Sequence, residues 1–430
     1  MRRVLRRLAA GRAGLVVPVA LAVLWCAVVV TTHLTAQWWQ PGYDLAVYRR
    51  GARDLLAGRD LYLAATDRGH YFVYPPLAAV LMVPLLLLPP SAALLIWDAV
   101  LVVAVVLGTG WLLRAVPVRA GAGPRAPLVT GLSLAAVLVS DPFRESVVLG
   151  QISPLVVLGL VVGCLLGGRR GAVLAALAAS VKVTPALVLT AAVNRTARRA
   201  FAVRVGVAGI ALTLLGAVAA PASWRHYFTD LLWNSARVAA PDTPTNNSLA
   251  GALAHVGVPG PTALVAGAAL SVPLLVVLLL AARRTDWSGP ADRMRFGLLV
   301  SLVAVLVTPV AWTHHALAAP LAAVVLLAAR PRGLRLAVVV VVGLLPWLPP
   351  VLEVAADLRG GWRVLSAPLA LTRPLSLLVL VALLLPGRRV LDLDAAAPAA
   401  GGRADVPVRP RGVLPERPSA APGSAGAGQA

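Results

Sequence analysis

An all-α, polytopic transmembrane helix bundle is the fold class this sequence predicts, and three observations predict it. The composition is 59% hydrophobic with 13% charged residues over 430 positions, and the mean hydropathy is +0.84. Apolar runs able to cross a hydrocarbon core of roughly 30 Å as helices recur from end to end. Clusters of arginine alternate with those runs, as cytoplasmic loops do. Lipid offers backbone polar groups no hydrogen-bond partners, so the runs must be helical.

In order, the runs are Leu15–Thr31, Ser91–Leu113, Phe201–Ala220, Thr262–Ala282, Phe296–Val310, Ala316–Ala329, Leu334–Leu348 and Leu369–Leu385. Shorter ones fill the gaps, for a total of about eleven to twelve spans. Between Tyr74 and the basic segment Arg114–Arg125 two runs are split by Pro89-Pro90-Ser91. Two crossings would put that segment outside, against the positive-inside rule; one crossing plus a re-entrant segment would put it inside. The Ala172–Ala192 run is interrupted by Val181-Lys182-Val183-Thr184-Pro185, which reads as a broken helix whose freed backbone faces protein or water. Residues 1–386 form the transmembrane domain. Residues 387–430, rich in Ala, Pro, Gly and Arg without apolar periodicity, are expected to be a disordered cytoplasmic tail. No internal repeat is visible.

A net charge of +22 would suit nucleic acid, but the arginines lie in short clusters between apolar runs and fit anionic headgroups instead. Lys182 is the only lysine among 39 basic residues, a bias typical of GC-rich coding. Cys26 and Cys164 both lie inside apolar runs and are core residues rather than a disulfide. Arg2, Arg3, Arg6, Arg7 and Arg12 precede a run too long for a cleaved signal, so an uncleaved first helix is expected.

The arginine clusters set the orientation. The N-terminus, Arg169–Arg170, Arg195–Arg204, Arg283–Arg295, Arg330–Arg335 and Arg388–Arg389 read as cytoplasmic. Thr35–Tyr74, Asp141–Ile152, Pro221–Pro261, the Thr308–His315 turn and Pro349–Ala367 then face outward. All six histidines and ten of the seventeen acidic residues fall on that outer side. Function is therefore expected on the outer face of the plasma membrane, with both termini cytoplasmic.

Five outer elements carry polar chemistry. Residues 44–56 have helical apolar spacing and predict a helix along the membrane surface, with Asp44 near its N-terminus; alone, Asp44 reads as an N-cap. Arg49 and Arg53 on that helix suit headgroup contacts. The loop ends at Tyr74-Pro75-Pro76, an interfacial aromatic before a stiff entry to the next span. Asp141-Pro142-Phe143-Arg144-Glu145 and Gly150-Gln151 form the second element, which alone reads as a turn. Lys182 is the third: a lysine in an apolar run costs about 2.5–3.5 kcal/mol on insertion scales and usually faces a cavity, where a phosphate would suit it. Asn246-Asn247-Ser248 is the fourth, as suited to sugar hydroxyls as to a turn. The fifth, Thr308 to His315, ends in Trp312-Thr313-His314-His315. No second carboxylate–histidine cluster lies nearby in sequence, so the histidines are read as hydrogen-bonding to substrate or phosphate, with no metal.

In this order the elements resemble the polyprenyl-phosphate-mannose-dependent mannosyltransferases of actinobacteria, glycosyltransferase family 87 of the C-type membrane superfamily. The resemblance spans roughly residues 40 to 330 and is most specific at Trp312, His314 and His315. Thr308 and Ala311 stand where that family's motif has serines. The resemblance implies that Asp44 is the catalytic base, and that Arg53, Tyr74, Arg144, Gln151, Lys182, Asn246, Asn247, Trp312, His314 and His315 bind substrate. It implies a polyprenyl-phosphate sugar donor, a glycolipid or lipoglycan acceptor, membrane lipids around the chain, no nucleic acid and no cofactor. It further implies inverting transfer of a hexose, with mannose first and arabinofuranose second. A transporter or flippase of lipid-linked sugars is the alternative. Transporters commonly show repeated halves with broken helices, whereas this chain has one broken segment and polar residues on one side.

Overall fold

The computed structural model describes residues 12–35, 41–66, 69–116, 126–193, 197–234, 237–243, 245–329, 331–348 and 365–386. Arg2, Arg3, Arg6 and Arg7, most of Pro349–Ala367 and the 387–430 tail lie outside them. The described regular structure is helical, save one isolated bridge between Ala65 and Tyr71. In chain order come α1 (Arg12–Thr35), α2 (Tyr43–Leu56), α3 (Pro76–Met82, extended by a 3-10 turn Val83–Leu87), α4 (Pro90–Ala115), α5 (Ala126–Leu138) and α6 (Asp141–Leu149). Next are α7 (Ser153–Leu166), α8 (Gly168–Val181), a 3-10 segment Thr184–Val193, α9 (Ala197–Ala219), α10 (Pro221–Thr229), α11 (Leu249–His255) and α12 (Gly260–Arg284). The chain closes with α13 (Pro290–Val307), a 3-10 turn Thr313–Ala316, α14 (Ala318–Ala328), α15 (Leu334–Ala337) and α16 (Ser366–Leu384).

Among the described residues, four helices are long and apolar enough to cross a membrane, at Pro90–Ala115, Arg198–Ala219, Gly260–Arg284 and Ser366–Leu384. Shorter apolar helices of 10–17 residues pack among them. The Leu334–Leu348 run is less regular than its apolarity suggests. After α15 it widens into a π-helical stretch, Val338–Leu344, and tightens into a 3-10 turn at Leu345–Trp347. Five consecutive valines crowd one another's β-branches there, and Pro346 ends the helical ladder.

α2 is the helix that the spacing of residues 44–56 predicts. Leu45, Tyr48, Arg49 and Ala52 turn inward, while Ala46, Arg53 and Leu56 face out. Asp54 is buried on the helix and paired by Arg50 Nε and Arg59 Nε, both at 2.9 Å. The same helix contacts the segment that follows Tyr74. Its Tyr48 hydroxyl meets that of Tyr74 at 3.2 Å, just before α3 begins. Its Arg49 guanidinium donates to the Leu85 and Leu88 carbonyls, just after α3 has ended in its 3-10 turn. Leu94, in the first turns of α4, lies against Gly42 at the start of α2. Both ends of the 76–88 segment therefore contact α2. α4 then carries the chain to the opposite end, where Arg114 lies.

The break at Lys182 is also real. α8 stops at Val181, Lys182 is extended at φ −143° and ψ 125°, and the 3-10 segment starts at Thr184. Pro185 has no N–H to continue an α-helical ladder, and its ring disfavours helical geometry in the residue before it. Ser180 of α8 donates to the Gly209 carbonyl at 3.4 Å, which places the break beside the middle of α9.

Candidate active site

Asp44 lies in the first turn of α2, but it is not the N-cap. Gly42 holds that position at φ 72°, with no side-chain cap, so the carboxylate is free to point elsewhere. It accepts a hydrogen bond from Gln151 Nε2 at 2.8 Å. The helix N-terminus still favours its negative charge.

Gln151 is aimed by the end of α6. Gly150 takes φ 67°, its N–H donates to the Val147 carbonyl at 3.2 Å, and Gln151 N–H donates to Ser146 at 2.7 Å. This is a Schellman ending, which needs the left-handed residue. A Cβ on Gly150 would lie 2.8 Å from that of Leu45, so glycine also permits close approach to α2. Gly42 N–H donates to the Val148 carbonyl at 2.8 Å and latches the two helices. The Gly150-Gln151 pair is thus one device: the first residue brings α6 against α2, and the second reaches Asp44.

Every polar atom of the Gln151 amide is used. Its oxygen accepts from the hydroxyls of Tyr48 and Tyr74, the latter at 3.2 Å. Its nitrogen donates to Asp44 and faces His314 Nε2 at 3.0 Å. A flipped amide would set oxygen against carboxylate, so this orientation follows from the network. His314 Nε2 must then be the acceptor and Nδ1 must carry the proton. Nδ1 faces the Glu145 carboxylate at 3.3 Å. His314 therefore orients Gln151 and is not an open phosphate ligand.

The cavity beside this chain has a volume of about 1080 Å³. Asp44, Tyr74, Glu145, Gln151, Lys182, Trp312, His314 and His315 line it, and Val156, Val157, Leu160, Ala304 and Val305 from α7 and α13 give it an apolar wall. The Lys182 ammonium is buried with no hydrogen-bond partner among the described residues. His315 stands edge-on to His314, ring centroids 4.5 Å apart. Burial raises the Asp44 carboxyl to about 6, Glu145 adds to the rise, and His314, the Gln151 N–H and Lys182 oppose it. Near neutral pH the group is still mostly a carboxylate, with far more proton affinity than an open aspartate has. Burial pushes the Tyr48 and Tyr74 hydroxyls upward, so they remain donors. For Glu145, burial is outweighed by His314, Arg373 and Arg144, which hold it below the usual range.

Four of the residues expected to bind substrate are elsewhere. Asn246 is 1% exposed and fully engaged: Nδ2 donates to the Pro241 and Pro309 carbonyls at 3.0 and 3.2 Å, and Oδ1 accepts from Ser248 and Ala311 N–H at 3.1 and 2.9 Å. Asn247 N–H and Nδ2 donate to the Ala311 carbonyl at 2.7 and 3.2 Å. These asparagines clamp the Pro309–Ala311 turn that delivers His314; a buried turn with unpaired amides needs such partners. Arg53 is exposed on the outward side of α2, away from the lining residues. Arg144 is paired with Asp141 at 3.0 Å and does not line the cavity.

Glu145, Tyr48 and Arg373 belong to the site and were not singled out in the sequence. Arg373, on α16, is 1% exposed. It donates to the Asp141 carboxylate, to Thr313 Oγ1 at 3.1 Å and to the Pro346 carbonyl at 2.8 Å, and lies 5.3 Å from the Trp347 ring centre. It therefore ties α6, which carries Glu145, to the turn that carries His314. Its signal was readable, because a charge inside an apolar run marks Arg373 as it marks Lys182.

The family model "Glycosyltransferase family 87" matches residues 72–309, more than half of the chain; Asp44, His314 and His315 lie outside that span. The polyprenol-phosphate-mannose-dependent alpha-(1-2)-phosphatidylinositol pentamannoside mannosyltransferase of Mycobacterium tuberculosis (strain CDC 1551 / Oshkosh) is 33% identical over 290 residues, which is 63% of each chain. The corresponding pentamannoside enzyme of Mycolicibacterium smegmatis is 32% identical over 291 residues, 63% of this chain and 66% of that one. A phosphatidylinositol mannoside mannosyltransferase of M. smegmatis with the same donor dependence is 30% identical over 295 residues, again 63% and 66%. The alignment thus spans a little under two thirds of these relatives' length. No solved structure matches. The chain belongs to glycosyltransferase family 87.

Proposed function

We propose that this protein transfers mannose from a polyprenyl-phosphate donor to a phosphatidylinositol mannoside or related glycolipid on the outer face of the plasma membrane, with Asp44 as general base. The observation that carries the reading is the Asp44 carboxylate, raised to about 6 and held by Gln151, in the wall of the cavity that also contains the unpartnered Lys182 ammonium. Asp44 removes the proton from an acceptor hydroxyl as that oxygen attacks the anomeric carbon. The bond from that carbon to the phosphate oxygen breaks with the electron pair on oxygen. Polyprenyl phosphate departs, and attack from the opposite side inverts the centre. Lys182, with His315 beside it, stabilises the charge that develops on the leaving phosphate. The apolar wall from α7 and α13 receives the start of the prenyl chain.

Membranes containing the protein, supplied with labelled polyprenyl-phosphate mannose and phosphatidylinositol mannosides, test the reading directly. A new glycosidic bond supports it. Movement of intact lipid-linked mannose across liposomes without a new bond would establish transport instead.

A further inference from the structure

One further group in the cavity lining has its own chemistry. Arg237 lines it, with its guanidinium carbon 4.5 Å from the centre of the Tyr71 ring. One nitrogen donates to the Tyr62 carbonyl, while Nε is buried with no partner. No carboxylate pairs with this cation among the described residues. Tyr62 is in turn fixed by its hydroxyl, which donates to the Tyr74 carbonyl at 2.9 Å. Leu63 and Trp233 nearby in the chain are 70% and 77% exposed, the pattern of side chains at headgroup depth.

Inverting transfer requires the acceptor oxygen and the leaving phosphate on opposite sides of the anomeric carbon. A phosphate-bearing acceptor therefore needs a cation distinct from the one that serves the donor. Lys182 is assigned to the donor phosphate above, and Arg237 is the one arginine among the described residues that line the cavity. A cation on an aromatic face keeps its edge N–H groups available to an anion, and guanidinium binds phosphate oxygens in a forked geometry. We propose that Arg237 and Tyr71 form the acceptor's anchoring subsite, which binds the phosphodiester of an anionic glycolipid while its sugar reaches Asp44. This rests on the transferase reading above, so the test includes binding as well as turnover.

Purified protein in neutral detergent is titrated with a phosphatidylinositol mannoside and, separately, with an uncharged alkyl mannoside carrying the same sugars. Wild type is expected to bind the charged lipid more tightly. Arg237→Gln is expected to weaken that binding about tenfold and to remove most of the preference, with Lys182→Gln retaining it. In turnover, kcat/KM for charged over uncharged acceptor falls by about the same factor in Arg237→Gln. Equal binding of the charged lipid by wild type and Arg237→Gln overturns the subsite whether or not transfer occurs. Equal losses for both acceptors also overturn it and assign Arg237 to holding its loop. Retained lipid preference without any transfer sinks the transferase reading and leaves the subsite standing.

Discussion

Lys182 and Arg373 are two cations set in apolar sequence, and the protein uses them in opposite ways. Arg373 is enclosed by Asp141, Thr313, the Pro346 carbonyl and the Trp347 ring. Lys182 follows α8 with a buried ammonium that has no hydrogen-bond partner among the described residues. A buried charge with matched partners fixes structure, and removing one partner strands the other. A buried charge without partners is a standing cost, retained where it meets something the protein does not itself contain. Arg373 builds the site and Lys182 serves in it.

The largest expected effect concerns the group that both cations support. Asp44→Asn should lower transfer by about 10²–10⁴-fold, the usual range for losing a general base. Its yield of folded protein should match or exceed wild type, since the substitution removes a carboxylate that burial disfavours. Normal transfer by a folded Asp44→Asn protein would remove the base assignment.

The comparison itself is broken by paired substitutions. Arg373→Met should destabilise the protein by about 3–5 kcal/mol, because Asp141 is left buried with its main partner gone. Adding Asp141→Asn should restore part of that stability in a thermal melt. Lys182→Met should leave the melt unchanged or raise it, while transfer falls about 10²-fold through loss of charge stabilisation. If both cations lower the melt equally, the division of labour is wrong. Asn246→Ala sharpens the same contrast at a neutral residue. It leaves the Ala311 and Ser248 N–H groups without their acceptor, at about 1–3 kcal/mol each, so thermal stability should drop. A rise in acceptor KM at unchanged stability would return Asn246 to substrate binding.

The pH profile offers a finer probe. Transfer needs the Asp44 carboxylate, so kcat/KM should fall as pH drops through about 6. Gln151→Ala removes an N–H that holds Asp44 down, so its acid limb should move to higher pH. Glu145→Gln removes a charge that pushes Asp44 up, so its limb should move to lower pH. The smallest expected effect is that of Arg53→Ala, which should leave both transfer and stability near wild type. A marked loss of transfer in that variant would place Arg53 against substrate after all.

How much of this could be read in advance depended on the kind of force involved. Apolar runs are one-dimensional signals, because a bilayer tests each helix separately for hydrophobicity and length. They, the helix at Asp44 and the break at Lys182 were therefore readable from residue order alone. Asp44, Gln151, Lys182 and the two histidines were readable as candidates by resemblance. What residue order could not sort was direction. Asn246 and Gln151 are both amides in polar turns, yet one closes on its own backbone and the other opens into the cavity. Asp44 reads as a cap until Gly42 is seen to hold that position. Arg53 and Arg144 have the right charge near the right segment, but one lies on the outward side of its helix and the other turns to Asp141.

The sequence by itself determined an all-helical membrane protein, the segments with polar chemistry and the family motif. Tertiary structure decided that residues 76–88 lie against α2, that Glu145 and Gln151 orient His314, and that Arg373 ties distant segments together. Hydrophobic partition acts residue by residue and leaves its trace in composition. Hydrogen bonds and ion pairs depend on groups 107 to 232 positions apart meeting in contact, and nothing in local residue order records that meeting.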